Sequence, residues 1–234
     1  MSEIYPGGEL ALFAAARHWK NYVAGMVAPF VGERVLEVGA GIGSNIPYLH
    51  HAGVRDWLCL EPDTAMARGL AARIAARTLP ANCRVVAGGT EAVPAMERFD
   101  TVLYLDVLEH IADDRGEMAR AASLLERSGR LIVLAPAHQF LFSPFDAAIG
   151  HRRRYTMVSL LATAPSTLAL RRSRMLDSVG FFASLANRLL LKSAQPTTRE
   201  IAVWDRAMVP VSRALDPLLG YRFGKSVLAI WRAP

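Results

Sequence analysis

The stretch VLEVGAGIGSN, residues 35–45, constrains the fold more than any other part of the chain. Four strand-like residues run into alternating glycines, and a polar residue suited to opening a helix follows. A strand that ends on glycines loses its Cβ atoms where backbone must approach a ligand. That pattern marks the first strand-to-helix turn of an α/β sheet, and the chain keeps the rhythm. RVLEVG (34–39), DWLCLE (56–61), CRVVAG (83–88), FDTVLYLD (99–106) and GRLIVLAP (129–136) are apolar runs. Between them lie helical stretches, chiefly TAMARGLAARIAAR (64–77) and DRGEMARAASLLER (114–127), with a short helix through Ile46. Near-continuous apolar strands imply a mostly parallel sheet covered on both faces, with ligands at the carboxyl ends of its strands.

The flanks carry a different pattern. Residues 9–30 read as one amphipathic helix, and AHQFLFSPFDAAIGHRRRYT (137–156) has no clear period. TLALRRSRMLDSVGF (167–181) reads as strand, and KSVLAIWR (225–232) closes the chain. One domain over 1–234 follows: a helical cap (1–30), a cofactor-binding half (31–136) and an acceptor-side half (137–234). With 52% hydrophobic residues the chain can build a full core. MSEIYPGGE lacks a basic-then-apolar leader, and 175–191 is interrupted by Asp177, Asn187 and Arg188. A cytoplasmic protein with at most peripheral membrane contact is therefore expected. Cys59 and Cys83 lack metal-ligand spacing. The net charge of +6 is nearly all arginine, and aromatic residues do not alternate with it, which argues against a nucleic-acid partner.

The glycine turn departs from the dinucleotide fingerprint. Gly39 and Gly41 fill its first and third positions, but Ser44 stands at the sixth, and the third glycine is Gly43. Glu37 precedes the first glycine, and Glu61 ends the second strand, where a carboxylate can accept from both ribose hydroxyls. A nicotinamide cofactor and S-adenosylmethionine (SAM) would both suit that contact.

The spacing E-x-G-x-G-x-G resembles the first motif of class I SAM-dependent methyltransferases. LCLEPD (58–63) resembles their second motif, and FDTVLYLDVLEHIADD (99–114) their fourth, in the small-molecule, UbiE/UbiG-like branch (methyltransferase type 11/12). RHWKNYV (17–23), PAHQFLF, GHRRRYT and the WDR–GKSVLAI tail are similar to a bacterial subgroup with LEHI and GHRRRY segments. The resemblance implies a Rossmann-like, mostly parallel seven-stranded sheet with an antiparallel C-terminal strand, and SAM as cofactor. Carried over residue by residue, it places Gly39, Ala40 and Gly41 beneath the methionine portion, with Glu37 holding the loop. Glu61 would bind the ribose, Pro62 would lie beside the adenine, and Leu105 and Asp106 would line the sulfonium side. Trp19 and Tyr22 would belong to the aromatic lead-in helix beside the cofactor. Where the family often has an acid facing the adenine this chain has Gly89, so Thr90 or Glu91 would substitute.

Methyl transfer from a sulfonium needs alignment, exclusion of water and, for an OH or NH acceptor, a proton acceptor. No metal is expected, since the six histidines show no H-E-x-x-H spacing. His110 follows the fourth strand, His138 the fifth, and His151 sits in the irregular segment. His138, His151 and His110, in that order, are the candidate bases, unless His110 donates to backbone or packs beneath the cofactor. The run Arg152–Arg154 would suit an anionic acceptor, or would simply be solvated. The expected protein is a methyltransferase acting on oxygen or nitrogen of a small molecule, as monomer or homodimer. A lipid-linked acceptor at a membrane surface, suggested by the apolar 179–191, a non-catalytic SAM-binding module and an NAD oxidoreductase are the rivals.

Overall fold

The computed structural model describes residues 10, 13–186 and 197–234. Its centre is a seven-stranded sheet of β1 (Arg34–Val38), β2 (Asp56–Glu61), β3 (Cys83–Ala87), β4 (Phe99–Leu105), β5 (Leu125–Pro136), β6 (Ala169–Leu176) and β7 (Ser226–Arg232). Across the sheet the order is β3-β2-β1-β4-β5-β7-β6. β1 pairs parallel with β2 and β4, and β7 runs antiparallel to both β5 and β6. The Rossmann-like sheet and its antiparallel C-terminal strand are as expected.

Period-two alternation divides the core. Val35, Trp57 and Cys59 pack to one face with Trp19, Tyr22 and Val27 of α1 (Arg17–Val27). Leu36, Leu58 and Leu60 pack to the other with Met118 and Ala121 of α4 (Asp114–Ser123). Both faces are covered, which is why these strands read as continuous apolar runs. Between them lie α2 (Ile46–Leu49) and α3 (Thr64–Ala75). After β5 come α5 (Pro144–Ala148), α6 (Met157–Leu161), α7 (Ser178–Ala186), α8 (Thr198–Val203) and α9 (Val209–Leu218).

Four boundaries differ from expectation. The lead-in helix is broken at Ala15–Ala16, and α1 starts at Arg17 with no cap from Ala16. Asp205 replaces the missing cap, accepting from the backbone N–H of Trp19 at 2.9 Å and of His18 at 3.3 Å. Helix α4 stops at Ser123, so β5 starts at Leu125 and is longer than GRLIVLAP. In 167–181 the strand ends at Leu176, where Asp177 turns (φ +67°) and α7 begins. The irregular 137–156 holds α5, and a bridge between Ala137 and Tyr155 extends the edge of β5. Among the described residues no helix is long and apolar enough to cross a membrane; residues 187–191 of the apolar 179–191 lie outside them.

Candidate functional site

The carboxyl ends of β1 to β5 share one edge of the sheet, and β1 and β4 lie side by side where the winding reverses. Gly39 (φ +64°) and Gly43 (φ +71°) shape the turn after β1. A Cβ on Gly39 would lie 2.7 Å from Val107 in the loop after β4, and one on Gly43 would lie 2.6 Å from Leu70 of α3. The third glycine therefore seats the turn on α3. The helix that follows, α2, is four residues long. It offers little of the aligned N-terminus on which dinucleotide folds hold a pyrophosphate. Ser44, at the sixth position, accepts from Lys20 Nζ at 3.0 Å.

Two glutamates grip this edge. Glu61 is buried, accepting from Gly41 N–H through Oε2 at 2.7 Å and from Asp63 N–H through Oε1 at 2.9 Å. A carboxylate has about four lone-pair sites, so each oxygen keeps one to offer to a diol. Burial raises its pKa, opposed by the two backbone donors. Glu37 lies beneath, accepting from Asn45 Nδ2 at 2.9 Å and Trp57 Nε1 at 3.0 Å. Burial raises its pKa as well, with Asn45, Trp57 and Lys20 opposing. It ties the turn to β2. Ala40 is buried, its N–H donating to Leu60 O, and Pro62 is exposed beside Glu61.

After β3, Gly89 N–H donates to Glu91 Oε1 at 2.9 Å. Thr90 is buried and its hydroxyl donates to Glu117, away from the edge. Of the pair considered as substitutes for the missing acid, only Glu91 is exposed there. After β4, Leu105 and Asp106 (φ +57°) line a cleft with Trp19, Lys20, Asn45 and Tyr48. Lys20 Nζ donates to Asn45 Oδ1 at 2.6 Å and to Ser44. Burial lowers its pKa, while Asp106 and Glu37 pull it up. Lys20 and Asn45 were missed as candidates; the available signal was Lys20 itself, one of only three lysines in the chain. Tyr22 needs correction. It is 1% exposed and its hydroxyl donates to Asp216 at 2.7 Å, so it packs α1 against α9 and presents no face to a ligand.

The three histidines separate. His138 (φ +66°) follows β5, with Nε2 3.1 Å from the Gly224 carbonyl and its ring against Phe140 and Phe181. Burial lowers its pKa. His110 and His151 meet edge to face, ring centroids 4.7 Å apart. Burial, with His151 beside it, pushes His110 down to about 4. His151 Nδ1 lies 2.8 Å from Asp146 Oδ1, and its Nε2 3.6 Å from Glu109 Oε1. Glu109 is fully buried, and burial with the Asp106 charge pushes its pKa well up.

The arginine run does not form an open anionic handle. Arg154 forks onto Asp146 with two bonds of 2.8 Å, and Arg153 pairs with Asp114 at 2.6 Å. Arg152 is exposed, but its Nε donates to His110 O at 3.0 Å. Arg152 and Arg153 thus clamp 150–155 to the loop after β4, and Arg154 ties it to α5.

Residues 36–133 match the model of a family described as a methyltransferase domain. No curated protein sequence matches the chain. Among solved structures, the chain is similar to a geranyl diphosphate methyltransferase in complex with SAM, with 14% identity and a TM-score of 0.65. That match covers 98% of this chain and 91% of the other. Coclaurine N-methyltransferase, bound to N-methylheliamine and SAH, gives 11% identity and 0.62, covering 93% and 72%. The cyclase SpnF gives 15% identity and 0.63, covering 92% and 80%. At such identities the likeness establishes the fold, and one neighbour is named for cyclisation.

Proposed function

We propose that this chain, whose residues 36–133 carry a methyltransferase domain using SAM, transfers the methyl group to an oxygen or nitrogen of a small molecule. The observation that carries this reading is Glu61, buried at the end of β2 and bonded to the glycine turn through Gly41. Its two remaining lone-pair sites suit a ribose diol, and the short α2 makes a pyrophosphate site poor. When bound, SAM supplies an electrophilic methyl group on a sulfonium.

The chain's own residues supply position and proton transfer. Gly39, Ala40 and Gly41 would pass beneath the methionine portion, and Lys20 would offer a cation for its carboxylate. Pro62 and Glu91 would flank the adenine, while Leu105, Asp106 and Trp19 would line the sulfonium side. A carbonyl oxygen only accepts, so the Nε2 of His138 carries its hydrogen toward Gly224 and the lone pair stands on Nδ1. Neutral His138 can take the acceptor's proton there.

Calorimetry with SAM, S-adenosylhomocysteine and NADH tests the cofactor. SAM should bind at micromolar levels; NADH binding without SAM binding reverses the reading. Incubation with methyl-labelled SAM and metabolite fractions then identifies the acceptor.

A second reading has its own observation. Phe140, Phe182 and Phe223 are exposed around His138 and Phe181, an aromatic surface suited to an amphiphilic or lipid-linked acceptor. Co-sedimentation with liposomes, lost in Phe182→Ser, would favour it.

A further inference from the structure

Glu109 closes the loop after β4, and the cations that act on it, Arg154 and a protonated His151, stand beyond hydrogen-bond reach. It is 0% exposed, and neither carboxylate oxygen accepts a hydrogen bond among the described residues. Leaving a buried carboxylate unpaired is costly. The imidazoles of His110 and His151 stand nearest, with the Arg154 guanidinium and the Asp106 and Asp146 carboxylates also acting on it. Arg154 and Ser143 both donate to Asp146, which keeps it a carboxylate, so the Nδ1 of His151 donates to it. The Nε2 of His151 points toward Glu109 Oε1 at 3.6 Å, too long for a hydrogen bond, and is the nitrogen open to a ligand. One nitrogen of His110 is engaged by the Gly150 backbone. Ligand atoms of Glu109, His110 and His151 all lie within 4.8 Å of one another.

Three electron-pair donors converge, and the shell behind them is fixed. Arg152 N–H donates to Glu109 O at 2.9 Å and Arg152 Nε to His110 O at 3.0 Å, joining the two segments. A carboxylate behind a histidine is the usual way a ligating imidazole is oriented. Two ligands about 2.1 Å from a tetrahedral ion lie roughly 3.4 Å apart, close to the Glu109–His151 separation.

We infer that Glu109, His110 and His151 form a binding site for one divalent first-row metal ion, with an open position for a ligating oxygen of the acceptor. Two imidazoles and a carboxylate suit zinc, manganese or iron(II). A three-ligand site keeps a place for water or substrate. The acceptor class follows: a small molecule that offers a hydroxyl or carboxylate oxygen to the metal. The role toward the acceptor rests on the proposed methyl transfer; the metal site itself does not.

The test therefore uses binding, with no turnover. The full chain, stripped with a chelator, is titrated with zinc in competition with a chromophoric chelator, and with cobalt(II) followed by its visible bands. One equivalent should bind at micromolar or tighter dissociation constant. Glu109→Gln and His151→Gln should each weaken binding at least tenfold, while His50→Gln, remote from the cluster, should leave it unchanged. SAM affinity of the stripped protein should stay within twofold, which separates failure of this site from failure of the cofactor reading. Zinc should also protect His110 and His151 of the unaltered chain from diethyl pyrocarbonate, a readout that needs no variant to fold. Absence of binding, binding that survives both variants, or no protection overturns the site.

Discussion

The sheet edge around β1 and β2 and the layer formed by α1, α7 and α9 both rely on buried carboxylates, over very different spans. At the edge, Glu61 reaches 20 residues back to Gly41, and Glu37 reaches 8 residues to Asn45. In the layer, Asp216 takes the hydroxyl of Tyr22, 194 residues away, together with the N–H groups of Asp177 and Ser178. Asp177 in turn accepts from Trp204 Nε1 and the Ser212 hydroxyl. The first set shapes a loop for a ligand. The second holds distant segments together, and each of its carboxylates accepts three of the protein's own donors, against two at Glu61. Glu61, at the ligand edge with two acceptor sites left over, is the carboxylate proposed to bind; Asp216, holding three donors from distant segments, is a clamp.

Asp216→Ala and Glu61→Gln test that contrast directly, and two further substitutions set the scale on either side. The largest effect concerns neither set: His138→Gln should lower turnover by about 10²–10⁴-fold with SAM affinity intact, as for loss of a general base. Because burial lowers the pKa of His138, its neutral form persists below 6.5, so the rate should be flat through neutrality and fall only in more acidic solution. An acidic limb above 6.5 would exclude it. Next, Asp216→Ala strands three buried donors and should cost about 3 kcal/mol or more in urea denaturation. If SAM affinity fell as much as stability, the clamp would also be a ligand group. Third, Glu61→Gln replaces a charged double acceptor, at a cost of about 1.5–3 kcal/mol. Calorimetry should show SAM binding weakened at least tenfold, with a smaller change in stability. Unchanged affinity would move Glu61 into the clamp class. Smallest, Asp205→Ala removes the surrogate cap of α1 and should destabilise by about 1 kcal/mol. No change in the melting curve would mean that water replaces it.

The strands, their order of appearance, the glycine turn and Glu61 were all legible in the sequence. The signals are local: apolar runs of strand length, glycines where φ turns positive, and a carboxylate one strand further on. The same locality explains the errors. Tyr22 was read beside the cofactor because its segment resembles a lead-in helix, but its partner Asp216 lies at the other end of the chain. Arg152–Arg154 read as a run of three charges, and nothing nearby announces that Asp114 and Asp146 neutralise two of them.

By itself the sequence determined the sheet and its ligand edge, because backbone conformation and period-two burial are imposed by neighbouring residues. Only the tertiary structure decided which charges survive at that edge. Glu109 and His110 are adjacent in sequence, but His151 joins them because the Arg152 backbone and side chain fasten its loop to theirs. Whether a carboxylate is satisfied depends on which donors folding brings within about 3 Å of it, and those donors can come from any part of the chain.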